Sequence, residues 1–319
     1  SRLTDHSMRL CHACWLLLRR RWISMINGVL VVDKPAGLTS HDVVDRVRRL
    51  TSIRRVGHTG TLDPMATGVL GVLLGPATRL AQFATQGEKR YWGVLRLGQT
   101  TSTYDADGMI VDEKAVEVDL EDIRSVLPQF CGTIDQLPPM VSAIRVNGKR
   151  LYEHARQGEE IQRTPRSVTI FSMTILDWTS PDLTFEVSCS AGTYIRSLAH
   201  DIGQVLGCGG HLRALRRTAS GPFELGQSRS LEDLELMRVQ GCLIEALLPP
   251  AAALGSMPVA VTSADQERAL RFGQGITLAL SASSDRVQAH NAHGELIAVL
   301  KRTDGDVYRP VVVLPPADN

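Results

Sequence analysis

The sequence predicts an α+β fold: a mixed, largely antiparallel sheet with flanking helices, followed by a small β-rich C-terminal domain. Strand patterns outnumber helical ones, and many of them are joined by short turns, whereas a parallel sheet needs a helical crossover between its strands. After the run Leu247-Leu248-Pro249-Pro250, which is typical of a linker, the remaining patterns are short and strand-like. The composition, with 43% hydrophobic and 22% charged residues, is that of an ordinary globular protein.

The first elements have clear boundaries. Residues Gly28 to Asp33 form a short apolar run that predicts a buried strand, and Lys34-Pro35-Ala36-Gly37 predicts a turn after it. A helix follows, capped by Thr39 or Ser40. Its apolar stripe comprises Val43, Val44, Val47 and Leu50.

Further strands and helices follow from the same patterns. Residues Val69 to Leu74 predict a buried strand, and Tyr91 to Leu97 alternate as a strand does. The other expected elements are a helix over Leu120 to Phe130, a hairpin turn at Asn147-Gly148, strands over Val168 to Trp178 and Leu183 to Cys189, and a helix from Ile195 that ends at Gly207. The C-terminal strands are Val287 to Ala289, Leu296 to Leu300 and Val311 to Leu314.

These patterns predict three parts. Residues 1–24 form an N-terminal extension outside the fold, residues 25–247 form the main domain, and residues 251–319 form the small β-rich domain. The apolar run Cys11 to Leu18 is too short for a membrane span, and its arginines follow it, so it is not a good signal peptide either. The six scattered cysteines suit free thiols in a reducing cytosol, and the isolated CxxC spacing of Cys11 and Cys14 is weak evidence for zinc or redox chemistry.

The charge is unevenly distributed although the net charge is only +1. Residues 33–100 contain ten lysines and arginines against five acids, whereas residues 101–135 contain nine acids against two bases. The pattern predicts a basic and an acidic surface, which could both be merely solvated.

One loop is a candidate for chemistry. The run Gly57-His58-Thr59-Gly60-Thr61-Leu62-Asp63-Pro64 lies between the basic helix and a buried strand, and its glycines allow close approach of the backbone. Such a loop can hold the Asp63 carboxylate at the floor of a cleft, or can be a turn in which Asp63 accepts hydrogen bonds from backbone amides. It is not a Walker motif, and with no other carboxylate close by in sequence, metal binding is disfavoured.

The chain resembles the TruB-type tRNA pseudouridine synthases from about Asn27 to about Leu231. The resemblance rests on motifs that occur in the order of that family. They are Asn27-Gly28 through Asp33-Lys34-Pro35 with Gly37, Gly57 through Asp63-Pro64 with Gly68, Lys89-Arg90-Tyr91, Leu97-Gly98-Gln99 with Asp105-Ala106-Asp107-Gly108, Pro138-Pro139 with Ser142-Ala143, Gly192 through Arg196, and Leu215-Arg216-Arg217.

The resemblance implies the pseudouridine synthase fold and the isomerisation of uridine 55 in the T loop of tRNA, without guide RNA, cofactor or metal. Asp63 matches the catalytic aspartate and Arg196 the arginine that pairs with it; Tyr91 matches the tyrosine that stacks on the flipped uracil. Further matches are His58, Tyr194 and Leu215, which contact RNA or line the pocket, and Lys34, which is structural or contacts RNA. Under this resemblance the arginines expected to follow RNA phosphates are Arg46, Arg48, Arg49, Arg54, Arg55, Arg216 and Arg217. The C-terminal domain would be PUA-like and bind RNA. The protein is expected to be cytoplasmic and free of membranes, and a monomer is the default expectation.

Several alternatives stay open at this stage. A carboxylate at Asp63 could attack the ribose, attack the uracil or start an elimination. Rival functions are a guide-dependent synthase, disfavoured by the chain length and the absence of long basic tails, and a non-catalytic RNA-binding or RNA-folding protein, disfavoured by the set Asp63, Tyr91 and Arg196. Remodelling of tRNA could be a second activity. A hydrolase or phosphotransferase that uses Asp63 is disfavoured because no metal or phosphate motif accompanies it.

Overall fold

A computed structural model of the chain describes residues 26–142, 145–146, 149–150, 159, 161–279 and 284–316. The expected N-terminal extension, with its CxxC spacing, and the turn at residues 147–148 lie outside the described residues. Within them, no helix is long and apolar enough to cross a membrane.

A large mixed sheet organises the first part of the chain. Its main strands follow the order β1-β3-β12-β4-β11-β10-β7, with β2 paired to β3 and β13 paired to β12. Their bounds are β1 Gly28–Lys34, β2 Val56–His58, β3 Thr67–Leu74, β4 Lys89–Leu97, β7 Gly132–Gln136, β10 Arg166–Thr179, β11 Asp182–Cys189, β12 Gly210–Ser220 and β13 Phe223–Glu224. Among the strand pairs of this sheet that the structure describes, β3–β12 alone is parallel, which confirms the expected largely antiparallel sheet.

Two short hairpins lie outside this sheet. Strands β5 Gln99–Thr101 and β6 Ile110–Glu113 pair with each other, as do β8 Arg145–Val146 and β9 Lys149–Arg150 on either side of the expected turn.

The helices have the bounds α1 Ser40–Thr51, α2 Ala81–Ala84, α3 Leu120–Val126, α4 Ile195–Val205, α5 Leu231–Gln240 and α6 Ala264–Arg271. Thr39 caps α1 and exchanges hydrogen bonds with Asp42 in a capping box. The helix expected over Leu120 to Phe130 is present as two segments. The α-helix ends at Val126, and residues Leu127–Phe130 continue as a 3₁₀ helix with Pro128 in its first positions. Proline donates no backbone hydrogen bond, which suits it to the start of a helical segment.

The side chains of strand β1 point alternately to its two faces and so contribute to two separate apolar clusters. Leu30 and Val32 face α1 and α5, where they pack with Val43 and Leu234. Val29 and Val31 face the opposite side. There the cluster includes Val299, Val312 and Leu314 from the C-terminal part of the chain. The two faces of one strand therefore contribute to two layers of the core.

The C-terminal β domain is a sheet of the order β14-β16-β17-β18-β15. Its strands are β14 Val259–Val261, β15 Ile276–Thr277, β16 Arg286–His290, β17 Leu296–Asp304 and β18 Val307–Val313. The run before it is not a free linker. Leu248 exchanges two backbone hydrogen bonds with Val29 of β1, of 2.9 and 2.8 Å, and residues Pro250–Leu254 form a 3₁₀ helix.

Candidate functional site

The Asp63 loop connects β2 to β3 and is fixed through its own carbonyl groups. The carbonyl oxygens of Gly60 and Thr61 accept from the Arg217 guanidinium, at 3.3 and 3.2 Å. The Leu62 carbonyl accepts from the Ser40 hydroxyl, and the Asp63 carbonyl accepts from the Ala66 amide. The loop backbone is therefore held in one conformation before any substrate arrives.

Lys34 fixes the other end of the loop. Its side chain is 0% exposed, and its ammonium donates to the carbonyls of Pro64, Pro35 and Leu38, at 3.2, 2.9 and 2.6 Å. Burial lowers the pKa of Lys34 to about 8. All three N–H donors of the ammonium face backbone carbonyls. Of the two roles expected for Lys34, the geometry therefore supports the structural role and not a direct contact with RNA.

The Asp63 side chain meets Arg196, which lies in the first turn of α4. Nη2 of Arg196 donates to Oδ1 of Asp63 at 3.0 Å, and Nε lies 2.9 Å from Oδ2. The Arg196 side chain is 3% exposed, whereas that of Asp63 is 34% exposed. The structure thus brings together the two expected partners, and it leaves part of the carboxylate accessible. No backbone amide among the described residues donates to this carboxylate, in contrast to the capped-turn alternative.

Arg196 is itself held on three further sides. Its Nη1 donates to the Thr103 carbonyl at 3.1 Å and lies 3.3 Å from Oδ2 of Asp105, and its Nη2 donates to the Val141 carbonyl at 2.8 Å. Asp105 is buried and accepts hydrogen bonds from Thr103 and from the amide of residue 107. One guanidinium is therefore shared by two carboxylates, which fixes its plane.

The start of α4 is positioned by an amide clamp. Tyr194 precedes the helix as its N-cap residue, and its side chain does not cap it. Gln136, at the end of β7, accepts from the Tyr194 amide at 2.7 Å and donates to the Tyr194 carbonyl at 2.9 Å. Since Arg196 follows two residues later, this clamp also sets the position of its side chain.

A pocket of about 210 Å³ opens above the Asp63 carboxylate. It is lined by the expected site residues Asp63, Tyr91, Tyr194, Arg196 and Leu215, together with Thr61, Leu62, Lys89, Ser142, Gly192, Thr193 and Ile195. Tyr91 projects from β4 and Leu215 from β12, so the central strands of the sheet form one wall. An aromatic ring, an apolar side chain and one carboxylate share this space.

The electrostatics of the pocket reflect burial among several cations. Burial raises the pKa of Asp63; the Arg196 guanidinium opposes this shift, and the Asp105 carboxylate adds to it. The net direction is upward, so the downward effect of Arg196 on the pKa of Asp63 is present but is outweighed by burial. Burial, and then the charge of Arg217, lower the pKa of Lys89 to about 8.

Two expected site residues lie outside the pocket lining. His58 is half-buried in β2, and its Nδ1 accepts from the Gly60 amide at 3.3 Å. Burial lowers its pKa, and an imidazole that accepts in this way is neutral. Lys34 lies beneath the loop, as described above. His58 therefore contacts the loop that carries Asp63 but does not line the pocket.

Of the arginines expected to follow RNA phosphates, Arg217 is buried, and Arg216 is half-exposed and paired with a carboxylate. Arg217 is 0% exposed and donates from Nε to the Val69 carbonyl at 2.8 Å, in addition to its bonds to the Asp63 loop. Arg216 pairs with Asp33 at 2.6 Å and donates to Thr67. The expectation that Arg217 follows phosphates is wrong, because a fully buried guanidinium cannot reach a bound phosphate.

Sequence reasoning assigned no role to Asp105, Gln136 or Lys89. Asp105 and Lys89 lay inside motifs that were recognised, but neither stood out as a partner of Asp63 or of the pocket. Gln136 carried no signal, because its contact with Tyr194 joins residues 58 positions apart. Within the described ranges, no cluster of three or more histidine, cysteine or acidic side chains could hold a metal ion.

Comparison with known proteins places the chain among RNA-modifying enzymes. The sequence profile of the TruB family pseudouridylate synthase N-terminal domain matches residues 48–195, and that of the tRNA pseudouridylate synthase B C-terminal domain matches residues 196–254. A tRNA pseudouridine synthase B of Dechloromonas aromatica is 44% identical over 301 residues, 94% of this chain and 99% of that protein. One from Syntrophotalea carbinolica is 50% identical over 234 residues, 73% and 76% of the two chains.

Solved structures show the same fold. A protein chain of the H/ACA RNP bound to a substrate RNA containing 2′-deoxyuridine is 27% identical and superposes with a TM-score of 0.71, over 95% of this chain and 88% of that one.

Proposed function

The chain belongs to the TruB family of pseudouridylate synthases, and on that basis we propose that it converts uridine 55, in the T loop of tRNA, to pseudouridine without a guide RNA. One observation carries the proposal: the Asp63 carboxylate reaches an open pocket while it is paired with the buried Arg196 guanidinium. A carboxylate in that position can act on a base that enters the pocket.

The substrate must enter as a flipped nucleotide, because neither face of a stacked base is accessible in folded RNA. Extrusion costs roughly a few kcal/mol, and stacking on an aromatic ring recovers about 1–3 kcal/mol per base. Tyr91 supplies that ring, and Leu215 supplies apolar contact from the neighbouring strand. The walls of the pocket therefore favour a flipped uracil over water.

The reaction moves one bond and one proton. The bond between C1′ of the ribose and N1 of the uracil breaks, a bond between C1′ and C5 forms, and the proton on C5 is replaced by a proton on N1. Asp63 begins this sequence, whether by attack on the ribose, by attack on the uracil or by abstraction of a ribose proton. The detached uracil is retained between Tyr91 and Leu215 until it has turned.

The RNA would be held largely through its phosphates. Arg54 and Arg55 are exposed. They lie between the end of α1 and the start of β2, the strand that precedes the Asp63 loop. Such contacts give affinity without reading bases, so that the shape of the T arm and of the pocket at Asp63 determine which uridine reacts. The C-terminal β domain supplies further surface for the same RNA in this proposal.

The test is incubation of the purified chain with an unmodified tRNA transcript and no other RNA, followed by nucleoside analysis and mapping of the modified position. We expect pseudouridine at position 55, and none in a matched transcript with cytidine at that position. Modification at another uridine would overturn the assignment of the site. Activity that appears only after a second RNA is added would instead indicate a guide-dependent enzyme.

A further inference from the structure

Tyr104 and His200 form a stacked pair of rings that the chemistry described so far does not use. Their ring centroids are 3.9 Å apart, and the ring planes differ by 12°. Tyr104 belongs to the loop between β5 and β6, whereas His200 belongs to α4. Neither side chain is among those that line the pocket at Asp63. The stack is therefore a contact between two segments of the protein outside the pocket.

The backbone at Tyr104 is unusual as well. Its φ is +63°, in the left-handed region that a bulky residue rarely adopts. Its amide donates to the Thr101 carbonyl at 3.2 Å, and its carbonyl accepts from the Leu212 amide at 3.0 Å. A strained conformation of this kind persists only where the surrounding contacts fix it.

The residues on either side of Tyr104 are the ones that hold Arg196. The Thr103 carbonyl accepts from Nη1 of Arg196 at 3.1 Å, and Oδ2 of Asp105 lies 3.3 Å from the same nitrogen. His200 follows Arg196 by four residues, so the two side chains lie on one face of α4, one turn apart. Three consecutive loop residues therefore contact one face of one helix, at Arg196 and at His200.

His200 takes part in this contact as a neutral ring. Its Nδ1 is buried and has no hydrogen-bond partner among the described residues. Burial lowers the pKa of His200, so the imidazole is uncharged at pH 7. The attraction between the two side chains thus depends on their flat surfaces, which a phenylalanine at either position would retain.

We propose that Tyr104 and His200 are positioning residues for the isomerisation: their stacked rings fasten residues 103–105 to α4 and so hold the Arg196 guanidinium where it pairs with Asp63. This inference rests on the proposed function. Without the stack, the loop can move relative to α4, and Arg196 and Asp63 then lose their fixed geometry. A displacement of about 1 Å in a catalytic group can cost roughly 10²-fold in rate.

The experiment compares Tyr104→Phe with Tyr104→Asn, by single-turnover rates at saturating enzyme and by affinity for the tRNA transcript. Phenylalanine keeps the ring. Asparagine removes it but tolerates a positive φ better than most residues, so the backbone can stay as it is. We expect Tyr104→Asn to slow the reaction roughly 10- to 100-fold at unchanged affinity, and Tyr104→Phe to react within about threefold of the unaltered chain. Met109→Asn, in the same loop with its side chain 79% exposed, is the matched control.

His200→Leu and His200→Phe repeat the comparison from the helix, and they keep it decisive if Tyr104→Asn does not fold. Leucine should be slow and phenylalanine near normal; Gln204→Leu, exposed one turn further along α4, is the control. Tyr104→Asn combined with His200→Leu should be no slower than the slower single variant, because both changes remove one contact.

Rates that stay normal without a ring would overturn the proposal. So would an equal loss in the phenylalanine variants, or losses that multiply in the double variant. These outcomes differ from failure of the proposed function, in which the unaltered chain makes no pseudouridine.

Discussion

The buried cations in and around the pocket and the exposed cations that follow α1 belong to two different classes. Lys34, Arg196 and Arg217 are almost fully buried, and each is held by backbone carbonyls or carboxylates. Arg54 and Arg55 are exposed. The first class stabilises one arrangement of the protein's own groups, whereas the second is available to a partner. Counting positive residues along the chain does not separate the two.

The difference predicts two kinds of mutational effect. Changes in the buried class should alter the rate of the chemical step or the stability of the fold and depend little on salt. Changes in the exposed class should alter RNA affinity in a salt-dependent way and leave the chemical step intact.

The largest effect is expected for Asp63→Asn. The amide keeps the shape of the side chain but is a poor nucleophile and a poor base, so turnover should fall by at least about 10⁴-fold while tRNA binding survives. Single-turnover assays and filter binding on the same preparation measure both quantities. Sustained multiple turnover by a clean Asp63→Asn preparation would remove Asp63 from the mechanism.

Tyr91→Phe is expected to have the second-largest effect on the rate. The phenylalanine ring keeps the stacking surface, so RNA binding should be normal, but loss of the hydroxyl should slow single turnover by roughly 10²- to 10⁴-fold. Tyr91→Ala, which removes ring and hydroxyl together, is the companion variant. If only Tyr91→Ala is slow, Tyr91 is a platform and the search for a proton carrier moves to Tyr194 or a bound water.

Lys34→Met tests a buried cation that lies outside the pocket lining. It removes the donor shared by the carbonyls of Pro35, Leu38 and Pro64, and unmet buried acceptors cost about 1–3 kcal/mol of folding free energy. Urea denaturation should show a lower midpoint for the variant. Unchanged stability together with weakened RNA binding would instead place Lys34 among the RNA-binding residues.

The exposed class is tested by Arg54→Ala together with Arg55→Ala. Affinity for tRNA should fall, and the slope of log affinity against log salt should flatten by roughly 0.7–0.9 for each phosphate that the variant no longer neutralises. Rates at saturating enzyme should stay near those of the unaltered chain. An unchanged salt slope would show that this pair is only a solvated surface.

The smallest effect is a displacement of the acid limb of the pH–rate profile. The chemistry needs Asp63 ionised, and the pKa of Asp63 is raised. As the pH decreases, the rate should therefore begin to fall at a higher pH than it would with an aspartate of ordinary pKa. Asp105→Asn removes a charge that raises the pKa of Asp63, so the limb should move to lower pH. A limb that moves to higher pH in Asp105→Asn would contradict this account of the cluster.

The sequence predicted the scaffold more completely than the site. The stripe Val43, Val44, Val47 and Leu50 is buried as its spacing indicated. The expected C-terminal strands coincide with β16, β17 and β18, except that Leu314 lies one residue beyond the end of β18. Those patterns are local, because burial of one face imposes a period of 3.6 or 2 residues on the chain. The motifs also contained the residues that line the pocket, including Asp63, Tyr91 and Arg196.

The parts that sequence reasoning missed depend on contacts between distant segments. Arg217 differs from Arg54 only in where it lies in the folded chain, and nothing in the charge pattern marks it as internal. A strand period was nevertheless available, since Arg217 is two residues from Leu215 and must share its face. The Gln136 clamp and the sharing of Arg196 by two carboxylates have no local pattern, because each joins segments that meet only in the folded protein.

The pairing of Leu248 with β1 also affects how the chain is made. Val29 and Val31, near the start of the described chain, pack with Val312 and Leu314 near its end. Domains fold as the ribosome releases them, and contacts between distant residues close late. The face of β1 that carries Val29 and Val31 therefore gains its last apolar contacts only after residues 312–314 have been synthesised, and a product that stops before them leaves part of this apolar surface open to chaperones and proteases.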